Sequence, residues 1–323
     1  MRDISLNSIN LLSKKILFID GLSRSGKSMI GPVLGSFNKT YPMQHQNLMD
    51  NLFQLLQINQ VSKNVCKSLI NIFLNENIYY LNLSRGVNFR PEDNSSVLKD
   101  KNYKLFIKNL TKKEGDQVIK QIKRDKNLPI FQSHDLLSVV DLLEITIPDF
   151  RMIHILRNPI DNIFSFYSKY NQRYKGKKYD IDNPRFFSLA FKSKNKLVPY
   201  YALKNPDYFL KLNNLEKVTF YYLKILEKLQ KKYLNFKNKN KIKIIRFDDF
   251  IQKPYQVIKK LENFLKLKKS SYTKISCKIE KVPRKIDNGS RERKFRFIKK
   301  SINKKMFERL NKKIILNEKN KLF

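Results

Sequence analysis

Ile16-Leu-Phe-Ile-Asp20-Gly21-Leu-Ser-Arg24-Ser-Gly26-Lys27-Ser28 decides the fold of this 323-residue chain. The apolar run Ile16 to Ile19 reads as a short strand buried in a parallel sheet. Gly21 to Ser28 then matches G-x-x-x-x-G-K-[ST], and strand, loop, helix is the order in which that pattern cradles a phosphate. The glycines let the backbone close around an anion, the loop amides point inward, and the helix N-terminus adds positive potential. A chance serine-rich turn is the bland alternative, and a complete match directly after a strand outweighs it. Ser23, Arg24, Ser25, Gly26, Lys27 and Ser28 are therefore expected to hold a nucleotide phosphate.

Outward from that loop, apolar spacing predicts helices and strands in alternation. Helices are expected over Met29 to Phe37 with Pro32 in the opening turn, Asn47 to Gln57, Val61 to Leu74 and Lys112 to Arg124. Pro129 to Gln132, Arg151 to Leu156 and Lys241 to Arg246 read as further strands. Helices follow them over Leu136 to Ile145, Pro159 to Tyr170 and Pro254 to Leu265. Tyr79 to Ser96 reads as a polar loop and Lys175 to Pro206 as irregular. Two long helices complete the chain, Tyr208 to Tyr233 and, after a turn containing Gly289, Arg293 to Ile315. This is an α/β pattern: a parallel central sheet flanked by helices, a P-loop nucleoside-triphosphate-hydrolase-like three-layer sandwich.

Length and composition narrow the classes. With 41% hydrophobic residues and no linker-like stretch, one globular domain over residues 1–323 is expected. No apolar run approaches the roughly 20 residues of a membrane helix. Met1 to Lys15 does not read as a signal peptide, so the expected location is cytoplasmic. Cys66 and Cys277 alone can build neither a disulfide framework nor a zinc cluster. A formal charge of +39 would attract polyanions. The excess is mostly Lys among abundant Asn and Ile, as AT-rich codons supply, and no nucleic-acid module is present. A nucleic-acid partner is not expected.

A second stretch narrows the function. Ile153 to Tyr167 (IHILRNPIDNIFSFY) places Arg157 at a strand end and Ser165 eight residues on, in the following helix. An arginine fork and a serine hydroxyl so placed can hold a second phosphate. Alone, the pair reads equally as a loop-capping arginine and a surface serine.

Together with the first loop, these residues resemble sulfotransferases that use 3′-phosphoadenosine 5′-phosphosulfate. Arg24-Ser25-Gly26-Lys27-Ser28 is similar to the family's R-S-G-x-[ST] loop, which grips the 5′-phosphosulfate. Arg157, Asn158, Pro159, Asp161, Ser165 and Tyr167 resemble its R-N-P-x-D-x-x-x-S-x-Y, whose Arg and Ser hold the 3′-phosphate. Arg246 to Pro254, leading into Leu261 to Leu265, is similar to its late strand, turn and helix. For the family's R-K-G-type loop, Arg284-Lys285 and Gly289 are the nearest matches. The resemblance places the nucleotide-binding core at 14–60, 128–172 and 240–268, with acceptor-binding insertions between.

The implied reaction moves a sulfuryl group to an acceptor hydroxyl or amine, with no metal. A glycan or a lipid is the expected acceptor. Arg24 and Lys27 would stabilise charge on the leaving phosphate. His134 is the expected general base, because Gln132-Ser133-His134 resembles the family's K-T-H-type motif upstream of R-N. A helix-capping histidine is the competing role. His45 is the second candidate base, and His154, inside a buried strand, is expected to be structural. Two other functions fit parts of the pattern: a P-loop kinase using magnesium–ATP, resting on the Walker-type loop, and a non-enzymatic polyanion or nucleic-acid binder, resting on the charge.

Overall fold

The computed structural model describes residues 9–45, 47–93, 95–173 and 189–321. Seven strands are present among them: β1 Ile16–Asp20, β2 Gln44–His45, β3 Ile130–Gln132, β4 Phe150–Leu156, β5 Phe191–Ser193, β6 Lys196–Val198 and β7 Ile242–Arg246. Five of these form one sheet in the order β2-β3-β1-β4-β7, every pair parallel. β1 is central, with β3 on one side and β4 on the other.

Alternation along β1 builds the layers. Ile16 and Phe18 face a core shared with Phe131 and Met152, whereas Leu17 and Ile19 face a second core with Ile153 and Ile245. Successive side chains of a strand point to opposite faces, so an all-apolar strand demands cover on both. The first face is covered by α2 Leu48–Gln57, preceded by α1 Lys27–Gly35 on the second face. Then follow α3 Lys63–Leu81, α4 Tyr103–Lys108, α5 Asp116–Asp125, α6 Val140–Thr146 and α7 Pro159–Arg173. Helices α8 Pro206–Lys211, α9 Asn214–Asn235, α10 Phe247–Gln252 and α11 Pro254–Leu265 come next, with α11 on the face of α1. The chain ends through α12 Tyr272–Ile279, α13 Asn288–Ser301 and α14 Lys304–Glu318. The result is the expected α/β three-layer arrangement.

Several local expectations are corrected. α1 starts at Lys27, because Gly26 takes the left-handed conformation and caps it, so Pro32 sits inside the helix and not in its opening turn. Of Lys175 to Pro206, residues 175–188 lie outside the described residues. The remainder is not irregular: β5 and β6 pair antiparallel around Lys194 and Asn195, both at positive φ. That is the geometry of a tight hairpin turn, and Lys gives no turn signal in sequence.

Both long helices are broken in two. Asn213 and Glu216 form a capping box that starts α9, and Asn303 accepts from Met306 to start α14. The two breaks interlock. Asn303 donates to Glu216 at 2.8 Å, and Asn213 donates to the Ser301 carbonyl at 3.0 Å. A tertiary contact therefore sets both helix starts. Gly289 lies within α13, not in a turn.

Candidate functional site

All five parallel strands end at the same edge, and the residues singled out above collect there. Gly21 is at φ +143°, Arg24 at +66° and Gly26 at +105°, so the loop turns tightly between β1 and α1. A Cβ on Gly26 would fall 2.2 Å from the Phe247 ring, and one on Gly21 would fall 2.6 Å from the Ile155 carbonyl oxygen. Only glycine meets both the dihedral and the space requirement. The Lys27 ammonium donates to the Gly21 and Leu22 carbonyls, which occupies two of its three N–H groups. Burial pulls its pKa down to about 8, against the opposing charges of Asp20, Asp135 and Asp50. Ser28 is exposed at the helix start, and the buried Ser25 hydroxyl has no hydrogen-bond partner.

Arg157, at the end of β4, reaches back to this loop. Its guanidinium donates to the Arg24 carbonyl at 2.7 Å and stacks 4.9 Å from the centre of the Phe247 ring, while its buried Nε has no partner. Arg24 Nε in turn donates to Ser165 Oγ at 3.3 Å. Arg24 thus forms one cluster with Arg157 and Ser165, which lie more than 130 residues further along the chain. Burial lowers the Arg157 pKa, and the like charges of Arg24 and Arg284 add to that while Asp161 and Asp248 oppose it. Arg284 is therefore part of the cationic group, whereas Gly289 belongs to a helix that serves another purpose.

That purpose is bracing. Asp161 accepts from Arg291 and Lys294 of α13, each at 2.8 Å, and Asp248 accepts from Arg291 at 3.0 Å. Asn158 caps α7 by accepting from Ile160 at 3.0 Å, and Arg246 holds the Asn317 carbonyl at 2.8 Å. These residues fix the elements that carry Arg157 and Ser165. Tyr167 packs on Phe297 of α13.

On the other flank of the loop stands His134. Its backbone N–H donates to Asp50 Oδ2 at 2.9 Å, and its Nδ1 lies 3.3 Å from the same oxygen. Asp50 is buried on α2, and burial, joined by the Asp20 charge, raises its pKa well above the ordinary carboxylate range. The His134 side chain is 32% exposed and opens on a cavity with Gln54, Gln57 and Tyr200. A second cavity, of about 420 Å³, shares Gln57, Ser138 and Val139 with the first. His45 ends β2 on the same edge but opens on a different cavity, with Ser28, Lys99 and Tyr272. Burial and the Lys27 charge lower its pKa.

Three features of the site are not marked by any motif in the sequence. Asp20 accepts from Ser133 Oγ at 3.0 Å and from the Leu136 and Leu137 amides, and it lies 2.8 Å from His154 Nδ1. Burial would raise its pKa, but the His154 contact, the Lys27 charge and the Leu136 amide outweigh that and hold it low. Asp135, pushed up to about 6 by burial and the Asp20 charge, accepts from Tyr221 at 2.9 Å and Tyr200 at 3.2 Å. Tyr221 also accepts the Ser23 amide at 3.3 Å, which ties α9 to the glycine-framed loop. The third is Phe247, the floor under Gly26 and Arg157. Asp20 directly before the loop was the one readable signal, since a carboxylate closing a buried strand must find partners.

A glycine-framed loop at the centre of a parallel sheet, with a cluster of cationic side chains one strand away, defines a P-loop-like α/β fold. The sulfotransferase domain model matches residues 14–315, and the chain belongs to that family. Among curated protein sequences no significant match is found. Similar solved structures include a sulfotransferase from Alicyclobacillus acidocaldarius, with 15% identity, a TM-score of 0.42 and coverage of 92% of this chain and 94% of that one. The sulfotransferase domain from the curacin biosynthetic pathway has 13% identity and a TM-score of 0.42, covering 83% and 77%. A sulfotransferase from Mycobacterium avium has 8% identity and a TM-score of 0.43, covering 91% and 78%. Among the described residues no helix is long and apolar enough to cross a membrane.

Proposed function

We propose that this sulfotransferase works as one domain over residues 1–323 and uses 3′-phosphoadenosine 5′-phosphosulfate as donor. Its acceptor is a hydroxyl compound that reaches His134 from the adjoining cavities. The observation that carries the donor reading is the pairing of two cationic sites across β1 and β4: the loop Ser23 to Ser28, and Arg157 with Arg24 and Ser165. Two buried groups without partners, Ser25 Oγ and Arg157 Nε, fit a ligand that brings its own oxygens.

The donor supplies an activated sulfuryl group whose leaving group is a phosphate. The S–O bond to that phosphate breaks as the S–O bond to the acceptor oxygen forms, and the acceptor proton passes to His134 Nε2. With Asp50 ionised, Nδ1–H donates to it, and that is the tautomer that leaves Nε2 free to accept the proton. Arg24 and the third N–H of Lys27 stabilise the charge that gathers on the leaving oxygen. A glycan or lipid fits the groove from His134 past Gln57 toward Leu56 and Leu142, which offers amides and apolar walls together.

Because the cations are protein side chains, transfer of labelled sulfuryl from the phosphosulfate donor is expected to persist in EDTA. Activity that needs magnesium–ATP would establish the kinase reading instead.

A further inference from the structure

A cavity of about 750 Å³ opens at the far edge of the sheet, where Lys15 leads into β1, Leu128 precedes β3 and Asp149 precedes β4. We infer that it is a second ligand site, and that its ligand is an amphipathic anion, a hydrocarbon chain bearing a carboxylate, sulfate or phosphate. The volume falls within the range of about 300–1,000 Å³ usual for sites that enclose a small molecule.

Two chemistries meet there. Leu11, Leu12, Leu128, Phe264 and Leu267 give the cavity an apolar wall. Seven cationic residues also line it, including Lys14, Lys39, Lys123, Lys126 and Lys266, against the single carboxylate of Asp149. The chain as a whole has 67 basic and 28 acidic residues, so this lining is far more one-sided than the average surface. Among the described residues none of Lys14, Lys123, Lys126 and Lys266 forms a salt bridge.

Part of the positive charge has a structural purpose. Lys126 and Lys266 are the left-handed C-caps of α5 and α11, and each helix terminus carries about half a negative charge. Two termini offset about one charge of the net six; Lys39 and Arg151 donate only to the neutral carbonyls of Asp125 and Asn240, so most of the charge at the cavity is not neutralised. Repulsion among those ammonium groups is relieved by an anion, and the apolar wall by a hydrocarbon chain. A simple inorganic anion would leave the wall wet, and a neutral apolar molecule would leave the charge unanswered. Nucleic acid presents its phosphates on a convex surface and would not enter an apolar cavity.

The site is separate from the phosphate loop by the length of β1, five residues, or about 16 Å. Its test is therefore independent of the sulfotransferase reading. Titration calorimetry with laurate below its micelle concentration should show one saturable site per chain, unchanged by saturating adenosine 3′,5′-bisphosphate. Affinity should fall roughly tenfold in Lys126→Asn/Lys266→Asn, whose asparagines adopt the left-handed backbone readily, and similarly in Leu267→Trp, which fills the cavity. Dodecanol and inorganic sulfate should each bind roughly tenfold more weakly than laurate. Displacement of laurate by the bisphosphate, or unchanged affinity in both variants, overturns the inference. So does binding seen only with phosphatidylglycerol vesicles, which would assign the charge to a lipid surface.

Discussion

The two flanks of the phosphate loop are built differently. Toward β4, the residues come from two short motifs, Gly21 to Ser28 and Arg157 to Ser165, and their contacts are loop to strand end. Toward β3, His134 rests on Asp50 of α2, while Asp135 gathers Tyr200 and Tyr221 from segments more than sixty residues away. The first flank is a cluster of cations linked to one another through the Arg24 carbonyl and the Ser165 hydroxyl. The second is a buried group of carboxylates, Asp20, Asp50 and Asp135, held apart by hydrogen bonds and by Lys27. A phosphate site can be encoded locally, because backbone amides and one glycine conformation do most of the binding. A proton-accepting site needs a tuned environment, and that comes only from tertiary structure.

The sharpest way to break this division is at His134. His134→Asn keeps size and a hydrogen bond but cannot take a proton, so turnover should fall by roughly 10²–10⁴-fold. Affinity for adenosine 3′,5′-bisphosphate, read by calorimetry, should stay within a small factor. His45→Ala is the matched control, since His45 opens on the other cavity. A dead His45 variant beside an active His134 variant would move the base across the sheet edge to β2.

The cation flank is tested by Arg157→Ala. Its half-buried guanidinium donates to the loop, so the variant should lose roughly ten- to a hundredfold in affinity for the 3′-phosphorylated nucleotide. The analogue without that phosphate should lose far less. Equal losses for both would make Arg157 a support for the loop, acting through the Arg24 carbonyl, and not a phosphate ligand.

The same contrast explains what was legible in sequence. The alternation of apolar strands with helices was readable, and so was the loop, because Gly21 and Gly26 answer to local backbone geometry. Arg157 and Ser165 were readable as a pair because one helix and one strand end relate them. Asp50 was not, since a single carboxylate in an apolar helical repeat says nothing of the strand it will meet. Phe247 is core, and only the proximity of Gly26 and Arg157 makes it a floor. The breaks at Asn213 and Asn303 escaped for a similar reason. Each asparagine is ordinary within a polar helix face, and the shared partner Glu216 exists only after folding.

The smallest effect joins the two flanks, because Lys27 belongs to both. Burial lowers its pKa to about 8, and the charges of Asp20, Asp135 and Asp50 raise it against that trend. An incoming phosphate adds negative charge, so the pKa in the complex is higher than in the free protein. Binding the nucleotide below pH 8 then meets an ammonium already charged, whereas above pH 8 a proton must be taken up. By linkage, affinity is flat at lower pH and falls as pH rises through 8, by roughly tenfold between pH 7 and pH 9. Titrations with the bisphosphate at stepped pH read this directly, and Lys27→Met should remove the slope while weakening binding at pH 7. A slope that survives in Lys27→Met would place the titrating group elsewhere. His45 would not supply it, because its pKa is already lowered from the ordinary imidazole value, and its proton is lost well below pH 8.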